Sequence, residues 1–268
     1  MDSMLADSRI LFAFLLTAVA GLSTGIGSLI ALLAKKTNRN FLSISLGFSA
    51  GIMIYVSFME MMPTALTGLT GVYGEKQGAL YLILAFFCGI LLINVIDFII
   101  PENVNPHEAH GVEDMQKEIQ LKRTGIMVAI SIAIHNFPEG IATFTSALES
   151  LDIAIPITVA IAIHNIPEGI AVAVPIYHAS GSRKKAFWYS FLSGLSEPLG
   201  ALLAFVFFFH FWTPALNGLI LSAVSGIMVF ISLDELLPAA EKYGKHHLSI
   251  AGVVAGMLVM ALSLFLFI

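Results

Sequence analysis

Eight apolar stretches of about 20 residues or more divide this 268-residue chain, and each is long enough to cross a bilayer as a helix. They fall near residues 9–34, 41–62, 79–100, 123–147, 153–177, 187–209, 216–238 and 248–267. Hydrocarbon offers the backbone no water, so segments of this length must bond their own amides as helices. A soluble domain is excluded by a chain that is 57% apolar and 12% charged, with a mean hydropathy of +0.89. The expected fold is an all-α membrane protein of eight transmembrane helices, one domain over residues 1–268, with a cytoplasmic loop near 101–122.

The basic residues orient the helices. Lys35, Lys36 and Arg39 follow the first span, and Lys117, Lys122 and Arg123 precede the fourth. Arg183, Lys184 and Lys185 follow the fifth, and Lys242 and Lys245 follow the seventh. All of these share one side of an alternating eight-span chain, and only Arg9 and Lys76 fall on the other. The positive-inside rule then puts both termini outside and those four loops in the cytoplasm. The acidic start Met1-Asp2-Ser3-Met4 lacks the basic region of a cleavable signal, so the first span is expected to be retained. Cys88, the single cysteine, reads as a buried packing thiol. A net charge of −5 with no basic patch argues against nucleic acid as a partner.

Two of the spans carry the same polar motif. Ile132–Ala142 reads IAIHNFPEGIA and Ile161–Ala171 reads IAIHNIPEGIA, identical at ten of eleven positions. Each copy sets a His, an Asn and a Glu in mid-membrane, where one ionisable group costs about 3 kcal/mol on insertion scales. A weaker repeat aligns Gly51-Ile52-Met53 with Gly226-Ile227-Met228, then Ser57 with Ser232, Glu60 with Glu235 and Pro63 with Pro238. Spans two and seven run in opposite directions, as do spans four and five. The pattern therefore predicts an inverted repeat about an axis in the membrane plane, with a substrate site near the midplane.

Residues four apart share a helix face, so His135 points with Glu139 and His164 with Glu168. Asn136 and Asn165 sit about 100° away, toward a neighbouring subsite. Imidazole, carboxylate and amide oxygen without thiolate suit Zn²⁺, Fe²⁺, Mn²⁺ or Co²⁺. A dication between the two glutamates would remove their mutual repulsion. Pro138 and Pro167 release the carbonyls of Ile134 and Ile163, and Gly140 and Gly169 permit close helix approach. Glu197, in Ser196-Glu197-Pro198, is a third mid-membrane acid without a basic partner in its span, and it is assigned to the polar pathway.

Other residues keep two readings. Met53 is a thioether ligand or core filler. Glu60 and the Asp234/Glu235 pair attract cations at an outer and an inner mouth, or hold their heads in interfacial water, and Asn94 and Asp97 share that ambiguity. His107, Glu108 and His110 hold metal loosely or belong to a solvated loop, and His246 with His247 is a weaker form of the same idea.

The doubled HN-x-PEG motif, followed by SEP in the next span, resembles the ZIP (Zrt-, Irt-like) metal transporters of the bacterial ZupT-type branch, and the likeness covers essentially the whole chain. The resemblance implies a binuclear centre between spans two, four, five and six. One metal would use Met53, His135, Glu139, His164 and Glu168. The other would use Asn136, Glu139, Asn165, Glu168 and Glu197, the two motif glutamates bridging. It also implies metal movement into the cytoplasm across the bacterial inner membrane, usually by a homodimer, with no prosthetic group. Zinc is the first cargo expected, with iron, manganese, cobalt and cadmium after it. The short inner loop, poor in histidine, departs from the longer members and puts regulation through a His-rich loop in doubt.

The rival class is an intramembrane metallohydrolase, but the chain has no HExxH, whose Glu serves as general base. A channel would use the same residues as a carrier. Metal ligands bind deprotonated, so zinc affinity in detergent should fall at least about tenfold from pH 7.5 to pH 5, across the histidine range near ~6.5. A flat competition titration would remove His135 and His164 from the ligand set.

Overall fold

A computed structural model describes residues 2–33, 39–99, 118–243 and 245–266; His107, Glu108 and His110 lie outside them. Every regular element among the described residues is helical. The first span is α1 (Asp2–Leu33), and the second is α2 (Arg39–Val56), a π turn (Ser57–Met61) and α3 (Met62–Tyr73). The third, fourth and fifth are α4 (Glu75–Ile99), α5 (Glu118–Glu149) and α6 (Leu151–Ser180). The sixth is α7 (Arg183–Gly194) with α8 (Ser196–Phe208). The seventh is α9 (Pro214–Ile231), a second π turn (Ser232–Leu236) and α10 (Leu237–Tyr243), and the eighth is α11 (His246–Leu266). Seven of these spans are long and apolar enough to cross a membrane over their described residues, and α5 is the remaining long helix. The chain is a multi-pass membrane protein.

The second span does not stop near residue 62. It continues to Tyr73, where Gly74, at φ 80°, turns the chain into α4. Proline would be expected to end the helix, because Pro63 offers no amide and its ring crowds the carbonyl four residues back. The π turn before it resolves the conflict: the Met62 N–H reaches five residues back to the Ser57 carbonyl, and the helix resumes. The same adjustment recurs before Pro238, where Leu237 N–H reaches Ser232. Met62 and Leu237 are 175 residues apart, the offset of the weaker sequence repeat.

Glycines report the repeat in three dimensions. A Cβ on Gly140 would collide with the Glu197 carbonyl oxygen, and one on Gly169 with that of Thr24. Gly27 lies equally close to Ile166, and Gly200 to Phe137. The first span therefore packs on the fifth as the sixth packs on the fourth. Gly51 meets Val253 and Gly256 meets Phe48, while Gly226 meets Phe86 and Gly89 meets Ala223. Spans two and eight are thus joined as spans seven and three are. Such backbone approach is the usual basis of helix association in lipid, where apolar side chains gain nothing by leaving hydrocarbon.

Burial sorts the helices. The most apolar stretch of α6 is 71% buried, against 17% for α4 and 22% for α11, so α6 is central and the other two face lipid. The expectation of a buried Cys88 is corrected here: it lies on the exposed face of α4 beside exposed Phe87. An apolar thiol is at home against lipid tails, so hydropathy alone could not choose between lipid and core.

Gly169→Val should force α1 from α6 and lower stability by at least about 2 kcal/mol, read as thermal unfolding in detergent. Gly71→Ala, which meets nothing within 4 Å, should be neutral or stabilising by up to about 1 kcal/mol.

Candidate metal centre

The two motif helices bring their polar residues to one place. Glu139 of α5 and His164 and Glu168 of α6 are essentially fully buried, and one ligand atom of each lies within 4.8 Å of the others. His164 Nε2 stands 3.1 Å from Glu139 Oε1, which accepts its hydrogen bond, and 3.9 Å from Glu168 Oε1. Ligands of one tetrahedral zinc are separated by about 3.4 Å, and these two distances bracket that value. A cation bound by His164 Nε2 would take the place of this contact, since metal ligands bind deprotonated.

A second polar group adjoins the first. Asn165 Nδ2 donates to the Ala20 carbonyl at 3.0 Å and to Glu197 Oε1. Asn165 Oδ1 and Glu197 Oε2 are buried without a hydrogen-bond partner among the described residues. An amide oxygen and a carboxylate oxygen left bare in an apolar interior are acceptors for a cation. The sixth span breaks at Leu195, so Glu197 falls in the first turn of α8. That places its carboxylate at a helix N-terminus, where the macrodipole favours negative charge.

Ser49 was not anticipated from the sequence. Its hydroxyl donates to Glu168 Oε1 at 3.3 Å and lies 3.4 Å from the His164 carbonyl, tying α2 to the centre. One signal was legible: Ser45, Ser49 and Met53 of α2 and Ser57 at the start of the π turn recur every four residues, and all are buried.

The remaining candidates divide. Asn136 and Met53 are fully buried, Met53 in the apolar cluster that also holds Ala142, Ile157 and Ile161. The side chains of His135 and Asp97, and all of His107 and His110, lie outside the described residues. Glu60 and Glu235 are half-buried in the two π turns at equivalent places in the repeat. Asp234 is exposed, as is Asn94 near the end of α4, so neither joins the buried polar centre.

Fold and site together define a polytopic membrane protein whose core holds a buried His/Glu cluster of a kind that could bind a metal ion. The family model described as "ZIP Zinc transporter" matches residues 101–264. Zinc transporter ZupT of Streptococcus mutans is 64% identical over 257 residues, covering 96% of this chain and 97% of that protein. Zinc transporter ZupT of Clostridium perfringens is 57% identical, covering 97% and 98%, and that of Akkermansia muciniphila is 52% identical, covering 97% and 99%. The chain belongs to the ZIP family, and it is a transporter rather than the metallohydrolase that the same ligands would otherwise permit.

Ser49→Ala removes the hydroxyl that orients Glu168. Zinc affinity should weaken about tenfold, measured by competition titration, with the fold intact by circular dichroism.

Proposed function

We propose that the protein carries divalent transition-metal ions, zinc first, across the plasma membrane into the cytoplasm. The observation that supports this most is the buried convergence of Glu139, His164 and Glu168 beside Asn165 and Glu197. The names of the relatives point the same way. In this reading the centre is binuclear. Met53, His135, Glu139, His164 and Glu168 hold one ion; Asn136, Glu139, Asn165, Glu168 and Glu197 hold the other. Iron, manganese, cobalt and cadmium are further cargo, since borderline nitrogen and oxygen ligands do not select zinc alone.

The whole chain works as one transmembrane domain with both termini outside a bacterial inner membrane, in a homodimer. A hydrated dication comes from outside, exchanges water for the imidazole and carboxylates, and leaves past Glu197, Asp234 and Glu235. Glu60 serves the outer mouth. Carboxylates that repel one another when empty are relieved by the ion, and the protons released go to solvent. Access switches when α1, α5, α6, α7 and α8 move against α2, α3, α4, α9, α10 and α11.

Zinc uptake into proteoliposomes loaded with a metal indicator should be saturable for wild type and should fall at least about a hundredfold for Glu168→Ala, which removes an assigned bridging ligand. Absence of uptake with zinc, Fe²⁺ and Mn²⁺ alike would overturn the reading.

A further inference from the structure

Beyond the shared motif, the two motif helices diverge. α5 continues Thr143-Phe144-Thr145-Ser146 where α6 has Val172-Ala173-Val174-Pro175, each pair 29 residues apart. Glu139, Thr143 and Ser146 lie within an arc of about 60° on α5. Ala142 and Ala147, on either side of that arc, belong to two separate apolar clusters, so the arc faces protein rather than lipid.

Thr143 and Ser146 are fully buried, and neither hydroxyl oxygen has a hydrogen-bond partner among the described residues. Many hydroxyls elsewhere in the bundle behave differently, although those of Thr24 and Ser57 are likewise buried without a partner among the described residues. Thr17, Thr145, Thr158, Ser225 and Ser232 each bond a carbonyl of their own helix one turn back. One turn beyond Ser146, Glu149 accepts from Asn217 Nδ2 at 3.0 Å, and Asn217 Oδ1 is again buried and unpartnered. Bare hydroxyl and amide oxygens are costly inside a membrane protein. The equivalent positions on α6, Val172 and Pro175, avoid that cost.

We infer that Thr143, Ser146 and the Asn217 amide line the outer approach to the metal centre. Their neutral oxygens contact a divalent cation through its water shell and lead it to Glu139, without the tight hold of a carboxylate. Since α5 runs outward from the cytoplasmic loop, this places the polar track on the outer half alone. On the inner side the equivalent positions of α6 carry Val172 and Pro175 in place of hydroxyl residues. Both hydroxyls are buried in this conformation, so the approach is closed here and opens when α9 parts from α5. The inference rests on the transport reading above.

The test is Thr143→Val with Ser146→Ala, a pair that removes both hydroxyls and nearly keeps their shapes. Initial zinc uptake at sub-saturating zinc should fall about fivefold or more. Zinc binding to the solubilised protein should be unchanged, and the melting temperature should stay level or rise, because two unpartnered buried groups are gone. Thr143→Ser should keep wild-type uptake. Unchanged uptake in the double variant, or equal loss of binding and uptake, would overturn the inference. Should the pair fail to fold, Ser146→Cys in a Cys88→Ala background gives a second measurement. An impermeant thiol reagent applied outside should label it, and zinc should slow the labelling; absence of labelling would overturn the inference. Wild-type protein that moves no zinc would sink the transport reading as well, whereas active wild type with an indifferent variant pair would sink this inference alone.

Discussion

Three carboxylates, those of Glu139, Glu168 and Glu197, are buried at the centre of a membrane bundle, and the chain supplies no lysine or arginine between residues 40 and 75, 124 and 182, or 186 and 241 to balance them. In a medium of low dielectric constant that charge must be met by protons or by a cation. The protein meets it in part with its own polar groups: His164 on Glu139, Asn165 on Glu197, Ser49 on Glu168, and the N-terminus of α8 behind Glu197. Each device leaves acceptor capacity over. Those spare acceptors are the groups a cation could meet.

Holding those groups together requires helices to approach closely without a hydrophobic drive between them. Glycine meets that need at several major contacts: α1 on α6, α2 on α11, α4 on α9 and α5 on α8. Gly140 and Gly169, inside the motif itself, set α5 against α8 and α6 against α1 at the level of the ligands. The candidate metal ligands and the residues that assemble the scaffold are thus neighbours on the same turn. Changing one disturbs the other, which ties site geometry to bundle packing.

The repeat is close in backbone and loose in chemistry. Its π turns and the prolines after them recur at one offset, and glycines recur at the equivalent helix contacts, so the two halves build equivalent frames. Polar side chains then break the equivalence. Thr24 stands on α1 where Glu197 stands on α8, each against a motif glycine, and only the second is an ionisable side chain. A transporter needs two faces that open alternately, which a symmetric frame provides, and a direction of use, which asymmetric lining supplies.

Much of this was legible in the chain. Apolar length marked the spans, because backbone bonding in lipid leaves no alternative to a helix. The doubled HN-x-PEG motif put each Glu on a face with its His, because helical geometry is local, and the 175-residue offset marked the two spans whose π turns match, though not the turns themselves. What lay beyond reach involved contacts between helices. That His164 bonds Glu139 of the other motif copy, that Asn165 reaches both Ala20 and Glu197, that Ser49 braces Glu168, and that Cys88 faces lipid all depend on which helix lies beside which. Periodicity states which residues share a face but not what that face meets, and in a membrane the lipid and the core are equally apolar. Local chemistry thus determined the candidate ligands and their helices; only tertiary packing decided how Glu139, His164 and Glu168 join into one cluster.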